Sequence, residues 1–269
     1  ECAGNGRAGF SPRSRSMPWN YEAVGTANWT GTPLAPLIAA ARPSGEVCEI
    51  SFTGLDRGFD KGVDHAFARS LTLEQIAALD VLLVHEMNGQ PLLPQHGAPL
   101  RIIVPGWYGM ASVKWLSRIE ALDKPFDGFQ QVGTYRFRTH DDDPGRPIQD
   151  IRVKSLMRPP GVPDWLSRKR LIEAGEVALV GRAWSGGGRA IVRVEVGVGE
   201  EWADARLAPS QGAFAWRGWS YDWQATPGDH ILRCRATDED GRVQPLEPLW
   251  DVSGFANNAA QKVWVHVPE

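Results

Sequence analysis

Cys2 stands among small residues, five positions before an arginine, in Glu1-Cys2-Ala3-Gly4-Asn5-Gly6-Arg7. A guanidinium close to a thiol favours the thiolate, the form that ligates soft metals or attacks electrophiles. The flanking glycines let the backbone turn tightly and approach a ligand. A lone cysteine in such a turn is by default an inert buried thiol. What lifts Cys2 above that default is the set of residues that accompanies it.

Cationic and hydrogen-bonding residues recur beside glycines and prolines: Arg7, Asp56, His96, Arg101, Ser112 and Lys114. Each alone is an ordinary solvated group. As a set they suit an anionic, phosphate-bearing cofactor, because arginine, lysine and backbone amides all recognise phosphate. Several other chemistries find no motif. His85-Glu86 has no second histidine at zincin spacing. His140-Asp141-Asp142-Asp143 lacks the glycine and glutamate of a calcium loop and reads as an exposed acidic loop. Walker A, dinucleotide and Gly-x-Ser-x-Gly signatures are missing, as is a Cys-x-x-Cys-His haem attachment.

These residues must be positioned by a chain of 269 residues, long enough for two domains. The net charge of -3, with both signs interspersed, argues against a broad basic nucleic-acid surface and against an acidic tail. No apolar run approaches the ~20 residues of a membrane helix, so a soluble protein is expected. The chain opens on Glu1 without a basic or apolar leader, which reads as a fragment or processed form with any targeting signal outside it. Cys2, Cys48 and Cys234 are too widely spaced for a disulfide framework. Cys48, in Val47-Cys48-Glu49-Ile50-Ser51-Phe52, and Cys234, in Leu232-Arg233-Cys234-Arg235-Ala236, read as structural strand residues. Eight of the twelve tryptophans fall from Trp165 onward, which points to β-sheet packing or a binding surface there.

In the first half, Thr32-Pro33 starts a short helix with Leu34, Leu37 and Ile38 on one face, ending near Arg42. Val47 to Thr53 reads as a strand that ends in a polar loop, Gly54 to Gly58. Thr72 opens a second helix, with Gln75 in the third position of a capping signature. Val81 to His85 is a buried strand, Asn88-Gly89 a hairpin turn, and Ile102 to Val104 another strand. Helices and strands mix without βαβ alternation, the pattern of an α+β domain. Arg158-Pro159-Pro160-Gly161-Val162-Pro163 reads as a linker, dividing the chain into residues 1–155 and 156–269. Beyond it the pattern is β. Val192, Val194, Val196 and Val198 alternate with Arg193 and Glu195; Leu232, Cys234 and Ala236 alternate with Arg233 and Arg235. Val263, Val265 and Val267 close the chain in the same way. With glycine turns between them, these strands predict an immunoglobulin-like β-sandwich without the paired-cysteine bridge.

Over nearly its whole length the chain resembles the sulfite oxidase family of molybdopterin enzymes. The segments that carry the resemblance are Glu1–Arg7; Trp29-Thr30-Gly31 with Pro33-Leu34; Gly54-Leu55-Asp56; His85-Glu86-Met87-Asn88-Gly89-Gln90-Pro91-Leu92; His96–Arg101; and Val104-Pro105-Gly106 through Ser112-Val113-Lys114-Trp115-Leu116. In the second half Phe214–Trp219, Gln244-Pro245 and Asn257-Asn258-Ala259 resemble the family's dimerisation domain.

The resemblance implies an α+β molybdopterin domain, represented by its C-terminal part, followed by the sandwich. It implies that Cys2 ligates molybdenum, a soft-ligand role. Asp56, His96, Arg101 and the segment Ser112, Val113 and Lys114 would hold the pterin and its phosphate. Arg7, Trp19 and Tyr135 resemble the pocket that receives the oxyanion. Lys262 stands where the family often has an arginine, keeping the charge but losing the bidentate fork. The activity implied is oxidation of sulfite to sulfate, with Cys2, Arg7 and Tyr135 as catalytic residues and an external c-type cytochrome taking the electrons. A homodimer and a bacterial periplasmic location are implied as well. The segment Val104 to Lys114 is equally similar to the sulfane dehydrogenase component of thiosulfate-oxidising systems, which is the alternative activity. A non-catalytic interaction protein is a further alternative, opposed by the retention of Cys2, Arg7, His96 and Arg101. Family members carry a long segment before this cysteine with further cofactor contacts, so this piece alone is expected to bind cofactor poorly.

Overall fold

The computed structural model describes residues 1–14 and 16–269; Arg15, within the basic segment Ser11 to Ser16, lies outside the described residues. The chain divides into two compact units. One comprises Glu1–Ile151 and Trp250–Ala256, the other Arg152–Leu249 and Asn257–Glu269.

The first unit contains β1 (Trp29–Pro33), α1 (Leu34–Ala41), β2 (Glu49–Asp60), β3 (Val63–Thr72), α2 (Leu73–Ala78), β4 (Leu82–Met87), β5 (Gln90–Pro91), β6 (Arg101–Ile103), β7 (Leu116–Leu122), α3 (Phe129–Val132), β8 (Arg136–Phe137) and β9 (Arg146–Pro147). One sheet runs β1-β4-β5 with β6 also on β4, another runs β3-β2-β7, and β8 pairs β9. Leu34, Ile50, Phe52, Ile76, Ile102 and Val113 build the main core. Gly31 explains part of the Trp-Thr-Gly motif: a Cβ there would lie 2.2 Å from the Leu83 carbonyl oxygen, so only glycine lets β1 approach β4. Thr72 and Gln75 form the reciprocal capping box that starts α2. Asn88 and Gly89, at φ +54° and +73°, turn β4 into β5 as their types demand.

Two expectations fail here. Residues 54–58 are not a loop: β2 continues through a bulge to Asp60, and Lys61-Gly62 turns it back into β3. The polar residues reflect a hairpin that runs past the core and is largely exposed. Cys48 is exposed and precedes β2; its amide donates to the Leu122 carbonyl at 2.9 Å, but its side chain does not enter the core.

The second unit is entirely β. It contains β10 (Lys154–Met157), β11 (Val162–Pro163), β12 (Arg170–Leu171), β13 (Gly175–Trp184), β14 (Ile191–Val198), β15 (Glu201–Asp204), β16 (Arg206–Leu207), β17 (Arg217–Ala225), β18 (Gly228–Asp238) and β19 (Lys262–Val267). The sheets run β10-β13-β17-β16 and β11-β12-β19-β18-β14-β15. Leu179, Ala183, Trp219 and Trp223 of the first share one core with Val194, Val196, Leu232, Cys234, Ala236 and Val265 of the second, which makes a β-sandwich. Burial pushes the Cys234 thiol up to about 12, consistent with an inert core residue. The alternation expected for β14 breaks at its start. A register shift between Ile191 and Arg193 exposes Val192 and buries Ile191 instead.

The two units part between Ile151 and Arg152, a few residues before the boundary expected between Ser155 and Leu156. Residues 158–163 follow β10 and run into β11 inside the second unit, so they are a turn and not a linker. Gly161, at φ +62°, leaves room there for the Leu171 carbonyl, 2.1 Å from where a Cβ would sit.

Candidate active site

The turn that carries Cys2 is closed by its own backbone. The Cys2 amide donates to the Ala23 carbonyl at 2.8 Å, and the Cys2 carbonyl accepts from Asn5 N–H at 3.0 Å. The Gly4 amide points back at Sγ at 3.4 Å. The side chain itself is exposed. It lines a cavity of about 1110 Å³ within the first unit, shared with Arg7, Trp19 and Tyr135. Four residues chosen from the sequence are thus brought together.

Arg7 is 6% exposed. Its Nη1 donates to the Met17 carbonyl at 2.9 Å, its Nε to the Gly254 carbonyl at 3.3 Å, and its guanidinium lies 5.0 Å from the Phe255 ring centroid. Two glycines make the seat. A Cβ on Gly4 would fall 2.7 Å from Arg7 Nη2, and one on Gly254 (φ +68°) would fall 2.5 Å from Arg7 Cγ. Burial pushes the Arg7 guanidinium down, while Cys2, Tyr135 and Asp251 act against that. It stays charged at neutral pH.

Tyr135 adopts φ +48°, a left-handed conformation that an aromatic residue holds only when its surroundings fix it. Its ring packs 5.3 Å from that of Phe255 and against a small cluster of Ala3, Tyr108, Met110, Phe137 and Ile148. Burial pushes the phenol up and the Cys2 charge adds to this, whereas Arg69 and Arg7 oppose it. Around the same cavity stand Arg13, Lys61, Arg136 and Arg138, against the carboxylates of Asp60 and Asp141. Among the described residues, five cationic side chains, Arg7 included, against two acids favour a small anion beside Cys2.

The second predicted set gathers around the segment before β7. Arg101 donates to the carbonyls of His96 at 2.8 Å and Ser112 at 3.1 Å and stacks on Trp29 at 5.1 Å. Burial pushes it down to about 10. It therefore braces the loops that carry His96, Ser112 and Lys114. The Ser112 hydroxyl accepts from Val104 N–H, Val113 is fully buried, and Lys114 Nζ donates to the Gln95 carbonyl at 3.0 Å. Gly97 (φ +101°) and Gly54 are cradles: a Cβ would meet Lys114 Cβ at 2.8 Å in the first case and Asp56 Oδ1 at 2.3 Å in the second. Asp56 Oδ1 is buried without a donor. An orphaned acceptor beside a glycine is what the N–H groups of a pterin would satisfy. A molybdopterin thus fits: Cys2 would hold the metal, and Asp56, His96, Arg101, Ser112, Val113 and Lys114 the organic part.

Lys262 joins neither set. It belongs to the second unit, where its ammonium pairs with Glu247 at 2.7 Å, and it is not among the residues lining the cavity. Lysine at a strand's first residue finds the nearest carboxylate, which chain position does not foretell. Other residues of the site carry little signal in the sequence. Trp250, Val252, Ser253 and Phe255 line the cavity because the chain returns to the first unit at Trp250–Ala256, between motifs of the dimerisation type. No periodicity marks that return. Arg69, buried behind Tyr135, is another; a charge on a strand whose neighbours Ser70 and Leu71 are buried is its only signal.

The fold and the site define a class. Residues 1–130 match the model of the oxidoreductase molybdopterin binding domain, and residues 145–268 that of the Mo-co oxidoreductase dimerisation domain. The chain carries the molybdopterin binding domain and the dimerisation domain of such oxidoreductases, and it belongs to the sulfite oxidase family. It is 34% identical to the mitochondrial sulfite oxidase of Homo sapiens over 99% of this chain and 52% of that protein. It is 30% identical to an NADH nitrate reductase of Ulva prolifera, over 98% of this chain and 34% of that one. The chain thus spans about half the length, or less, of these relatives. Among solved structures it is similar to the sulfane dehydrogenase SoxCD from Paracoccus pantotrophus, with a TM-score of 0.81 and 27% identity over 99% of this chain and 67% of that one.

Proposed function

We propose that this chain is the catalytic part of an enzyme that oxidises sulfite to sulfate. The observation that carries the reading is an exposed Cys2 thiol on the wall of a cavity whose charged lining is mainly cationic. A thiolate there suits a soft metal, and the cations suit an oxyanion delivered to it. Molybdopterin, when bound, supplies the redox chemistry: sulfite and water become sulfate, two protons and two electrons. The chain's own residues bind and orient. Arg7, fixed by two carbonyls and the Phe255 face, offers a preset charge to the anion and so needs little reorganisation. Tyr135, kept protonated by burial, donates a hydrogen bond and fixes the anion's orientation. Trp19 lines the cavity beside them.

The electrons leave to an external acceptor, for which a c-type cytochrome is our reading. A homodimer through the second unit is supported by the match to a dimerisation domain. A periplasmic location rests on the bacterial character of the resemblance and is tested by fractionating the producing cells. The second functional reading is sulfane oxidation, favoured by the likeness to the sulfane dehydrogenase structure.

The decisive measurement is molybdenum content of the full-length protein alongside sulfite-dependent reduction of cytochrome c or ferricyanide. Metal with sulfite turnover supports the proposal. Metal without it shifts the assignment to sulfane oxidation, and absence of metal sinks both. Replacing the thiolate ligand, Cys2→Ser, is expected to abolish turnover; a near-normal rate would overturn its assignment as the metal ligand.

A further inference from the structure

Arg69, on β3, is 5% exposed, yet no carboxylate within ion-pair distance meets it among the described residues. One nitrogen, Nη1, donates to the Gln130 carbonyl of α3. Its guanidinium carbon lies 5.8 Å from the centroid of the Tyr135 ring. Its Nε is buried without an acceptor. A buried donor left unsatisfied is costly, the more so on a charged group, so packing alone does not account for a charge at this position.

The surroundings fix this arginine firmly. Ser70 N–H donates to Gln131 Oε1 at 2.9 Å, and Gln131 Nε2 returns to the Ser70 hydroxyl at 2.6 Å. His65 packs on Phe129 at 4.5 Å and meets Gln130 Nε2 at 2.6 Å. Strand β3 is therefore fastened to α3, and Tyr135 follows α3 by only a few residues. Phe67, Gln130 and Tyr135 line the cavity, and Arg69 stands directly behind them.

We propose that Arg69 is a positioning residue of the anion pocket: it holds the Tyr135 ring over the cavity and supplies a second fixed positive charge against which the Tyr135 hydroxyl works. The charged groups acting on that hydroxyl are Cys2 and Asp60, which make it a weaker acid, and Arg7 and Arg69, which make it a stronger one. Arg7 also serves the substrate directly. Arg69 is reserved for the phenol. A phenol so supported is a better hydrogen-bond donor to an oxyanion, while burial keeps it protonated. The inference rests on the cavity being the anion site, but its test does not require turnover.

Labelling the full-length protein with difluorotyrosine gives fluorine resonances that report the ionisation of each tyrosine, and Tyr135→Phe identifies the one of interest. In Arg69→Gln the Tyr135 resonance is expected to titrate about two pH units higher, the order given by a unit charge ~6 Å from the ring at an effective dielectric of about 20. Arg69→Lys should recover most of that difference. In unlabelled full-length enzyme, Arg69→Gln is expected to raise KM for sulfite and move the alkaline limb of the pH–rate profile upward. A Tyr135 titration unchanged in Arg69→Gln overturns the proposal. Should Arg69→Gln fail to fold, Arg69→Met serves instead, because it also removes the charge, and a Tyr135 titration unchanged in it overturns the proposal. If the enzyme shows no sulfite turnover but the Tyr135 titration shifts as stated, the pairing stands and the substrate reading falls.

Discussion

Buried charge is handled in opposite ways in the two units. In the sandwich, Glu195 is 5% exposed and is met by Arg235 through two bonds, at 2.8 and 2.9 Å, with Arg193 also in reach at 3.2 Å. Around the cavity, Arg7 and Arg69 are equally buried but are held by carbonyl oxygens and aromatic faces, with no ion-paired carboxylate among the described residues. The first arrangement neutralises its charge inside the fold. The second leaves positive potential unneutralised, which lowers stability, and keeps it for something that arrives from solution.

The contrast can be broken by substitution. Gly4→Ala places a methyl 2.7 Å from Arg7 Nη2 and should push the guanidinium aside. A fall of about a hundredfold in kcat/KM for sulfite is expected, the order that an ångström of misplacement costs, with little change in stability. Wild-type kinetics in that variant would show that Arg7 is not held for the substrate. Glu195→Gln should do the reverse. It is expected to cost about 2 kcal/mol in denaturant unfolding, because Arg235 loses its partner yet still reaches water in part. Sulfite kinetics should be unaffected there, and a catalytic defect would undo the division of labour drawn above.

The smallest effect tests a satisfied charge within the first unit. Asp143 accepts from Thr139 N–H at 2.9 Å and Gly145 N–H at 2.7 Å, which hold its carboxyl down at about 2. A depressed folded value contributes stability that is present above the ordinary 3.8 and is lost as the pH falls through about 2. Amide exchange at Thr139 and Gly145 should therefore accelerate between those values while the sandwich amides stay protected. Uniform acceleration would mean that the loop has no separate acid response.

Much of this was legible in the chain because it is local. The Thr72–Gln75 box, the Asn88-Gly89 turn and the alternation around Cys234 and Val265 depend on neighbours a few positions away, and all formed. Where a partner strand intervenes, the pattern misled: a bulge reversed Val192 and Ile191, and a hairpin running past the core made residues 54–58 look like a loop. The motif residues Cys2, Arg7, Trp19 and Tyr135 could be chosen from the sequence through family likeness, but their meeting on one cavity wall could not.

What the sequence determined by itself is therefore the kind of chemistry: a thiol beside an arginine, glycines where a backbone must yield, and a segment suited to a phosphate-bearing cofactor. Tertiary structure decided which charges remain available. It paired Lys262 with Glu247, used Arg101 as a brace, returned residues 250–256 to hold Arg7, and hid Arg69 behind Tyr135. The reason is physical. A charge is available or neutralised according to what long-range folding puts within a few ångströms of it, and no spacing along the chain records that distance.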